Sequence, residues 1–338
     1  MRKFSAVLAS VALIGTVALT GPAATAAESI TGAGSSFAGG ILTTCAASYT
    51  KNTVTYTPNA SGTGRSGFAA GTLDFAGTDA PYAEADKKPA AFTYVPVVGG
   101  PVAILFNLPG IANLKLTPVV IGNIFAGKTT KWNDKAIAAL NKGVALPDDS
   151  INVVYRSTKS GTTENFANYL VANKARGWVS SGTWGTATAQ TSPVGTGAPS
   201  SSELVAKVKS TGYSIGYADL SDANKKGLPF ASVRNVAGEY VKPSALSGGK
   251  FLAAQKVGAD GLMNLNFAAS IKGAYNLTIV TYLLAPTAAA NTAKAAAVKD
   301  FASYVLKTCA PAKAAGLGYV ALTGAAKTAA QKLVAKIK

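Results

Sequence analysis

Three short stretches of this sequence carry the residue types from which an oxyanion site is built. Gly34-Ser-Ser-Phe37, Ser61-Gly-Thr-Gly64 and Arg156-Ser-Thr-Lys-Ser-Gly-Thr162 each combine glycine with hydroxyl residues, and the third adds an arginine. Each follows an expected strand and opens an expected helix. A helix start offers backbone N–H groups without intrahelical partners and the positive end of the dipole. Glycine lets that backbone approach a ligand closely, and serine and threonine add hydroxyl donors. Several such ends meeting at one point would hold a tetrahedral anion. For any one loop alone, a helix cap is the plain alternative; three together, one carrying Arg156, are more specific. None of the three ends in the Gly-Lys-Ser/Thr of a nucleotide-binding P-loop.

Composition removes most other chemistry. The chain has 338 residues and no histidine, which excludes Ser-His-Asp and Cys-His catalysis and histidine-ligated zinc. Two cysteines cannot make a four-cysteine metal site. No nucleophile–base pair stands out either, so the expectation is no enzyme and no cofactor. Hydrophobic residues make up 48% and charged residues 14%, enough apolar material for a sizeable core. At roughly 150 residues per domain the length fits about two domains.

Residues 1–27 read as a cleaved secretory signal. Arg2 and Lys3 precede an apolar run from Ser5 to Thr20, and small residues follow up to Ala27. A retained anchor is the competing reading, but the run is short of the roughly 20 residues a span needs. No cysteine sits just after the run, so no lipid-attachment site is seen. The expectation is an exported protein, periplasmic or extracellular. Dropping Arg2 and Lys3 takes the net charge from +17 to +15. A solvated lysine-rich surface accounts for that charge; polyanion binding is the sharper alternative. The lysines are scattered through alanine-rich segments rather than interleaved with aromatics, so no nucleic-acid partner is expected.

The elements that must position the loops can be read from periodicity. Helical spacing runs from Ser36 to Tyr49, on toward Ala70 after the second loop, and from Thr163 to Val171. Strands are expected at 54–57, 73–76, 94–98, 102–106, 151–155, 215–217 and 277–284. Gly99-Gly100-Pro101 reads as a break between two of them. Residues 116–141 look mostly helical with interruptions. Residues 180–202, rich in Ser, Thr and Gly, read as a long surface loop, and the remainder as Ala/Lys-rich helix. Strands alternating with helices argue for an α/β architecture.

With these stretches in view, the sequence resembles the substrate-binding proteins of bacterial phosphate ABC importers, the periplasmic phosphate-binding protein family. The resemblance runs along nearly the whole chain after residue 27. It rests on Thr31 through Phe37, Ser61 through Gly64, Leu73-Asp-Phe-Ala-Gly-Thr-Asp-Ala-Pro81 and Val95 through Val102. Ile121 through Asp134, Arg156 through Thr162 and Ser214 through Tyr217 continue it. It implies a two-domain periplasmic-binding-protein fold of type II, with a hinge and an interdomain cleft. The chain would cross between domains near 95–100 and 276–281. Domain I would then be 28–97 plus 279–338, and domain II 98–278. That puts Cys45 and Cys309 in one domain and so implies a disulfide between them, with two separate buried thiols as the other reading.

The resemblance also implies a phosphate-binding set: Ser36, Phe37, Ser61 and Asp79 from domain I, and Arg156, Ser160, Gly161 and Thr162 from domain II. The family's acidic residue two positions after the arginine is Thr158 here. Asp79 would face the anion, which is tolerable only when the ligand brings a proton to donate. Phosphate does so at neutral pH and sulfate does not, so the carboxylate rejects the wrong anion. The implied function is capture of inorganic phosphate by hinge closure, as a monomer, and delivery to an ABC permease. The alternatives are a secreted phosphate-binding-like protein with a scavenging, adhesive or polyanion-binding role, and an enzyme such as a phosphatase.

Overall fold

The computed structural model describes residues 27–338. Residues 1–26 of the expected signal segment lie outside it. Nine strands form one large sheet: β1 (Ser29–Gly34), β2 (Thr53–Pro58), β3 (Phe75–Thr78), β4 (Phe92–Asn107), β5 (Asn152–Arg156), β6 (Thr196–Ala198), β7 (Ser214–Asp219), β8 (Thr278–Pro286) and β9 (Val320–Ala321). Their order is β2-β1-β3-β8-β4-β7-β5-β6, with β9 paired to β4.

The two ends of this sheet are parallel and its middle is antiparallel. β1 pairs in parallel with β2 and β3, and β5 in parallel with β6 and β7. β8 and β4 run antiparallel to their neighbours and to each other. Parallel strands need crossovers, and helices supply them. These include α1 (Gly39–Ala47) between β1 and β2, α2 (Ser61–Ala69) between β2 and β3, and α3 (Gly161–Ala172) after β5. α4 (Ser201–Ser210) leads from β6 to β7, and α5 (Leu220–Lys225) follows β7.

The break expected at Gly99-Gly100-Pro101 does not occur. β4 runs unbroken for 16 residues and changes partner there instead, pairing with β8 as far as Pro101 and with β7 from Val102. A proline is tolerated where one ladder ends and another begins, because its missing N–H is not required by either. The glycines admit neighbours rather than a turn: a Cβ on Gly99 would lie 2.2 Å from Leu252, and one on Gly100 3.1 Å from Phe37 and Tyr319. β4 therefore joins both halves of the sheet. Opposite it, the register shifts between Thr281 and Tyr282, leaving Val97 as an extra residue.

The stretch 116–141 is less helical than its composition suggests, with only Pro118–Phe125 and Lys135–Leu140 forming helices. Within 180–202, the surface-loop expectation gives way at three places: a short helix at Trp184–Ala187, strand β6 and the start of α4. Trp184 is buried in an aromatic cluster with Phe125, Phe166, Trp178 and Tyr217. The C-terminal region is helical in pieces, interrupted by β9. It packs back on the first half of the chain, and Cys309 is joined to Cys45 of α1 by a disulfide.

Candidate functional site

Every expected loop lies at the carboxyl end of a strand in this sheet. β1 ends into Ser35-Ser36-Phe37, β2 into Asn59-Ala60-Ser61, β3 into Asp79, and β5 into the Arg156–Thr162 loop. In open α/β sheets these ends flank the crevice where ligands bind. Local sequence fixes how tightly they approach. Gly34 has φ +137, and a Cβ there would sit 2.0 Å from the Gly77 carbonyl oxygen. Only glycine fits, and Ser35 N–H then donates to that same oxygen at 2.8 Å.

Asp79 is the centre of one group. It is 4% exposed and is surrounded by four hydroxyls. Ser35 and Thr281 donate to Oδ1 at 2.6 and 2.7 Å. Ser61 and Thr162 reach Oδ2 at 3.4 and 3.3 Å. Oδ2 is thus the loosely held oxygen. The backbone around Asp79 is tied down too: its N–H donates to Ser61 Oγ and its carbonyl accepts from Asn165 Nδ2 at 2.6 Å. Burial pushes the Asp79 carboxyl above the usual range, while the Ser35 and Thr281 hydroxyls and the charge of Arg156 pull it part of the way back. Gly161 packs directly on this group; a Cβ there would be 2.6 Å from Ser61 Oγ and 2.9 Å from Asp79 Cβ.

Arg156 is the centre of a second group. It is 1% exposed, and burial lowers its pKa. Nη2 donates to the carbonyls of Pro199 at 2.7 Å and Asn59 at 3.1 Å, and to Thr158 Oγ1 at 3.1 Å. Thr158 passes its own hydrogen to Pro199 O. A hydroxyl and two carbonyls therefore hold the guanidinium where the family pattern has an acid. Nη1 faces Ser201 Oγ at 3.5 Å, and Ser201 in turn meets Ser36: the hydroxyls are 3.2 Å apart and Ser201 N–H donates to Ser36 Oγ at 3.0 Å. Arg156 Nε is buried without a partner among the described residues.

The expected residues divide between these groups. Ser61, Asp79, Gly161 and Thr162 meet directly, and Ser36 joins Arg156 through Ser201. Ser160 caps α3, its hydroxyl accepting from Thr163 N–H. Phe37 is fully buried, its ring edge-on to Tyr319. The amides of Phe37, Ser61, Gly161 and Thr162 donate to no acceptor among the described residues. The last three are the opening N–H groups of α2 and α3, which no helix can satisfy internally.

Sequence reasoning missed Ser35, Ser201 and Thr281. Ser201 had a signal: Gly197-Ala-Pro-Ser-Ser201 is a fourth strand–turn–helix junction of the same design as the other three. Thr281 had only the weak signal of a hydroxyl inside an apolar strand. A further stretch, Gly122 through Thr129, fits the letters of a P-loop, but its first four residues lie inside the helix Pro118–Phe125 rather than in a loop ahead of one. Among the described residues no group of three His, Cys, Asp or Glu side chains could hold a metal ion.

Residues 20–308 match the model of a PBP superfamily domain. A phosphate-binding protein PstS of Pasteurella multocida is 40% identical over 236 residues, which is 68% of this chain and 67% of that protein. A phosphate-binding protein PstS of Xylella fastidiosa is 34% identical over 282 residues, 80% of this chain and 76% of that one. Among solved structures, a high-affinity periplasmic phosphate-binding protein bound with phosphate superposes with a TM-score of 0.75 at 22% identity, covering 90% of this chain and 93% of that one. A phosphate-binding protein from Stenotrophomonas maltophilia does so at 0.69 and 20%, with the same coverage. At these identities the structures speak to the fold.

Proposed function

This chain belongs to the phosphate-binding protein PstS family, and we propose on that premise that it captures inorganic phosphate in a closing cleft and delivers it to the permease of an ABC importer. The observation that carries this is the set of donors left without acceptors at the carboxyl ends of the strands. Among the described residues, the amides of Phe37, Ser61, Gly161 and Thr162 and the buried Nε of Arg156 all lack a partner. Buried donors of this kind call for an acceptor, and a small oxyanion supplies several at once.

In this reading Ser36, Phe37, Ser61, Ser160, Gly161 and Thr162 donate to the phosphate oxygens and Arg156 supplies the positive charge. Asp79 accepts the ligand's proton. Four hydroxyls already occupy its four acceptor positions, so one must turn away. Oδ2 is the oxygen for this, because its contacts with Ser61 and Thr162 are long and both hydroxyls can swing onto the ligand. A fully ionised anion gives Asp79 no proton and sets two negative charges together in a buried site.

The lobes proposed are 28–97 plus 279–338, and 98–278. Support comes from β4 and β8, the long strands at which the two halves of the sheet meet. Contacts across this division fit a closed state. Gly62 N–H donates to Lys159 O at 2.9 Å, Arg156 reaches Asn59 O, and Lys159 Nζ pairs with Asp86 Oδ1 at 2.5 Å. Ligand that touches both lobes shifts the population toward this form. The protein would act as a monomer outside the cytoplasm. Among the described residues no helix is long and apolar enough to cross a membrane.

Titration calorimetry with phosphate and with sulfate at neutral pH tests the reading. Phosphate should bind, and sulfate about tenfold to a hundredfold more weakly, the range expected when a buried charged acceptor goes unpaired. Equal binding of both anions, or of neither, refutes it.

A further inference from the structure

A second buried carboxyl lies behind the phosphate loop and plays no part in the site as described. Asp219 ends β7 and is 1% exposed. Its Oδ1 accepts from Asp222 N–H at 3.0 Å, as a helix cap would. Its Oδ2 is buried with no partner among the described residues, as is the neighbouring Ser221 hydroxyl. No lysine or arginine closes an ion pair with it among the described residues. A plain cap does not need such burial.

The remaining contact is with Tyr319. The Tyr319 hydroxyl stands 2.7 Å from Phe37 O and 3.1 Å from Asp219 Oδ1. A phenol has one hydrogen and here faces two acceptors. With Asp219 ionised the two acceptors compete for that hydrogen; with a proton on Asp219, donated to the phenol oxygen, both contacts are full hydrogen bonds. Tyr319 is then free to donate to Phe37 O. If Asp219 loses its proton to solvent, the phenol hydrogen is drawn to the carboxylate, and the buried Phe37 carbonyl is left without that donor. Phe37 is the residue whose own N–H faces the proposed anion.

We propose that Asp219 is a positioning residue for the phosphate loop, acting through Tyr319 on Phe37, and that its protonation sets how firmly that loop is held. The inference rests on the phosphate reading of the cleft. The charged groups facing Asp219 pull in both directions. On its own helix Asp222 adds negative charge, offset by its pairing with Lys225 at 3.4 Å. From β5 the charge of Arg156 favours the ionised form, and from the C-terminal segment the uncharged Tyr319 hydrogen-bonds to it. Burial, then the charge of Asp222, pushes the Asp219 carboxyl up to about 8. The proton is therefore held at neutral pH and lost in mild alkali.

The experiment is phosphate calorimetry from pH 6.5 to 9 on the full chain and on Asp219→Asn, in which a fixed amide replaces the titrating acid and still caps the helix. Phosphate's own ionisation affects both proteins alike and cancels in the comparison. The wild-type Kd should rise about fivefold more than that of the variant between pH 7 and 9, the worth of one hydrogen bond. An identical profile in both proteins overturns the inference alone; wild-type protein that binds no phosphate overturns the reading of the cleft and the inference with it. Carbon-13 NMR of the Asp219 carboxyl in the wild type gives a readout free of any substitution. Titration in mild alkali supports the relay, and titration near 4 overturns it.

Discussion

Thr281 donates its hydroxyl hydrogen to Asp79 Oδ1 at 2.7 Å, although 202 residues of chain separate the two. The bond links the strand that returns from the far half of the sheet to the carboxylate proposed to test the ligand. It also divides Asp79 into unlike halves. Oδ1 is held by two short bonds, from Ser35 and Thr281, and Oδ2 by two long ones. The short bonds fix where the carboxylate points, and the long ones leave an oxygen available.

Asp79→Asn separates these roles. The amide oxygen can keep the bonds from Ser35 and Thr281, so the fold should survive. The amide nitrogen would then stand where Oδ2 stood, donating instead of accepting. Sulfate affinity should rise and phosphate affinity fall, narrowing the ratio between the two anions by about tenfold or more, since a hydrogen bond to a charged group is exchanged. Calorimetry with both anions measures the ratio. An unchanged ratio would remove Asp79 from the discriminating role.

The loops of the candidate site were legible in the sequence because their chemistry is local. Gly34, Ser36, Ser61 and Ser160 stand where a strand hands over to a helix, and glycine with hydroxyl residues marks that junction whatever the rest of the chain does. Arg156 was legible because it sits in such a loop, and Asp79 through its Asp-Ala-Pro surroundings. What was not legible depends on contacts far along the chain. Thr281 and Tyr319 reach the first loops only because the C-terminal segment folds back, and nothing in their neighbours' types announces it. Gly99-Gly100-Pro101 misled for a related reason. Glycine and proline end strands when the chain must turn, but here Leu252, Phe37 and Tyr319 fill the space that a Cβ would take, and the strand continues.

The Cys45–Cys309 disulfide ties α1, just beyond the first loop, to the C-terminal helical region across 264 residues of chain. Closing so long a loop restricts the unfolded chain strongly, and loss of such a bond costs about 2–5 kcal/mol. The midpoint of urea unfolding should therefore fall clearly when the protein is reduced, or when both cysteines are replaced by alanine. Equal midpoints with and without reductant would mean that packing of the C-terminal segment alone holds the two ends of the chain together.

Gly161 offers a way to disturb closure while sparing the core of either proposed lobe. It belongs to the Arg156 loop, yet the atoms a Cβ would strike are Ser61 Oγ at 2.6 Å and Asp79 Cβ and N at 2.9 and 3.0 Å, all in the other proposed lobe. Its φ is not in the left-handed region, and it opens a helix, so alanine there is compatible with the local backbone. Gly161→Ala should then leave the unfolding midpoint nearly unchanged, because the clash vanishes once the lobes part. Phosphate affinity should drop by about fivefold to a hundredfold, in line with the ~1–3 kcal/mol that overpacking costs. Calorimetry alongside thermal unfolding without ligand distinguishes the two effects. A large loss of stability with affinity intact would show that the Gly161 contact belongs to the folding of one rigid body, and that the cleft does not open there.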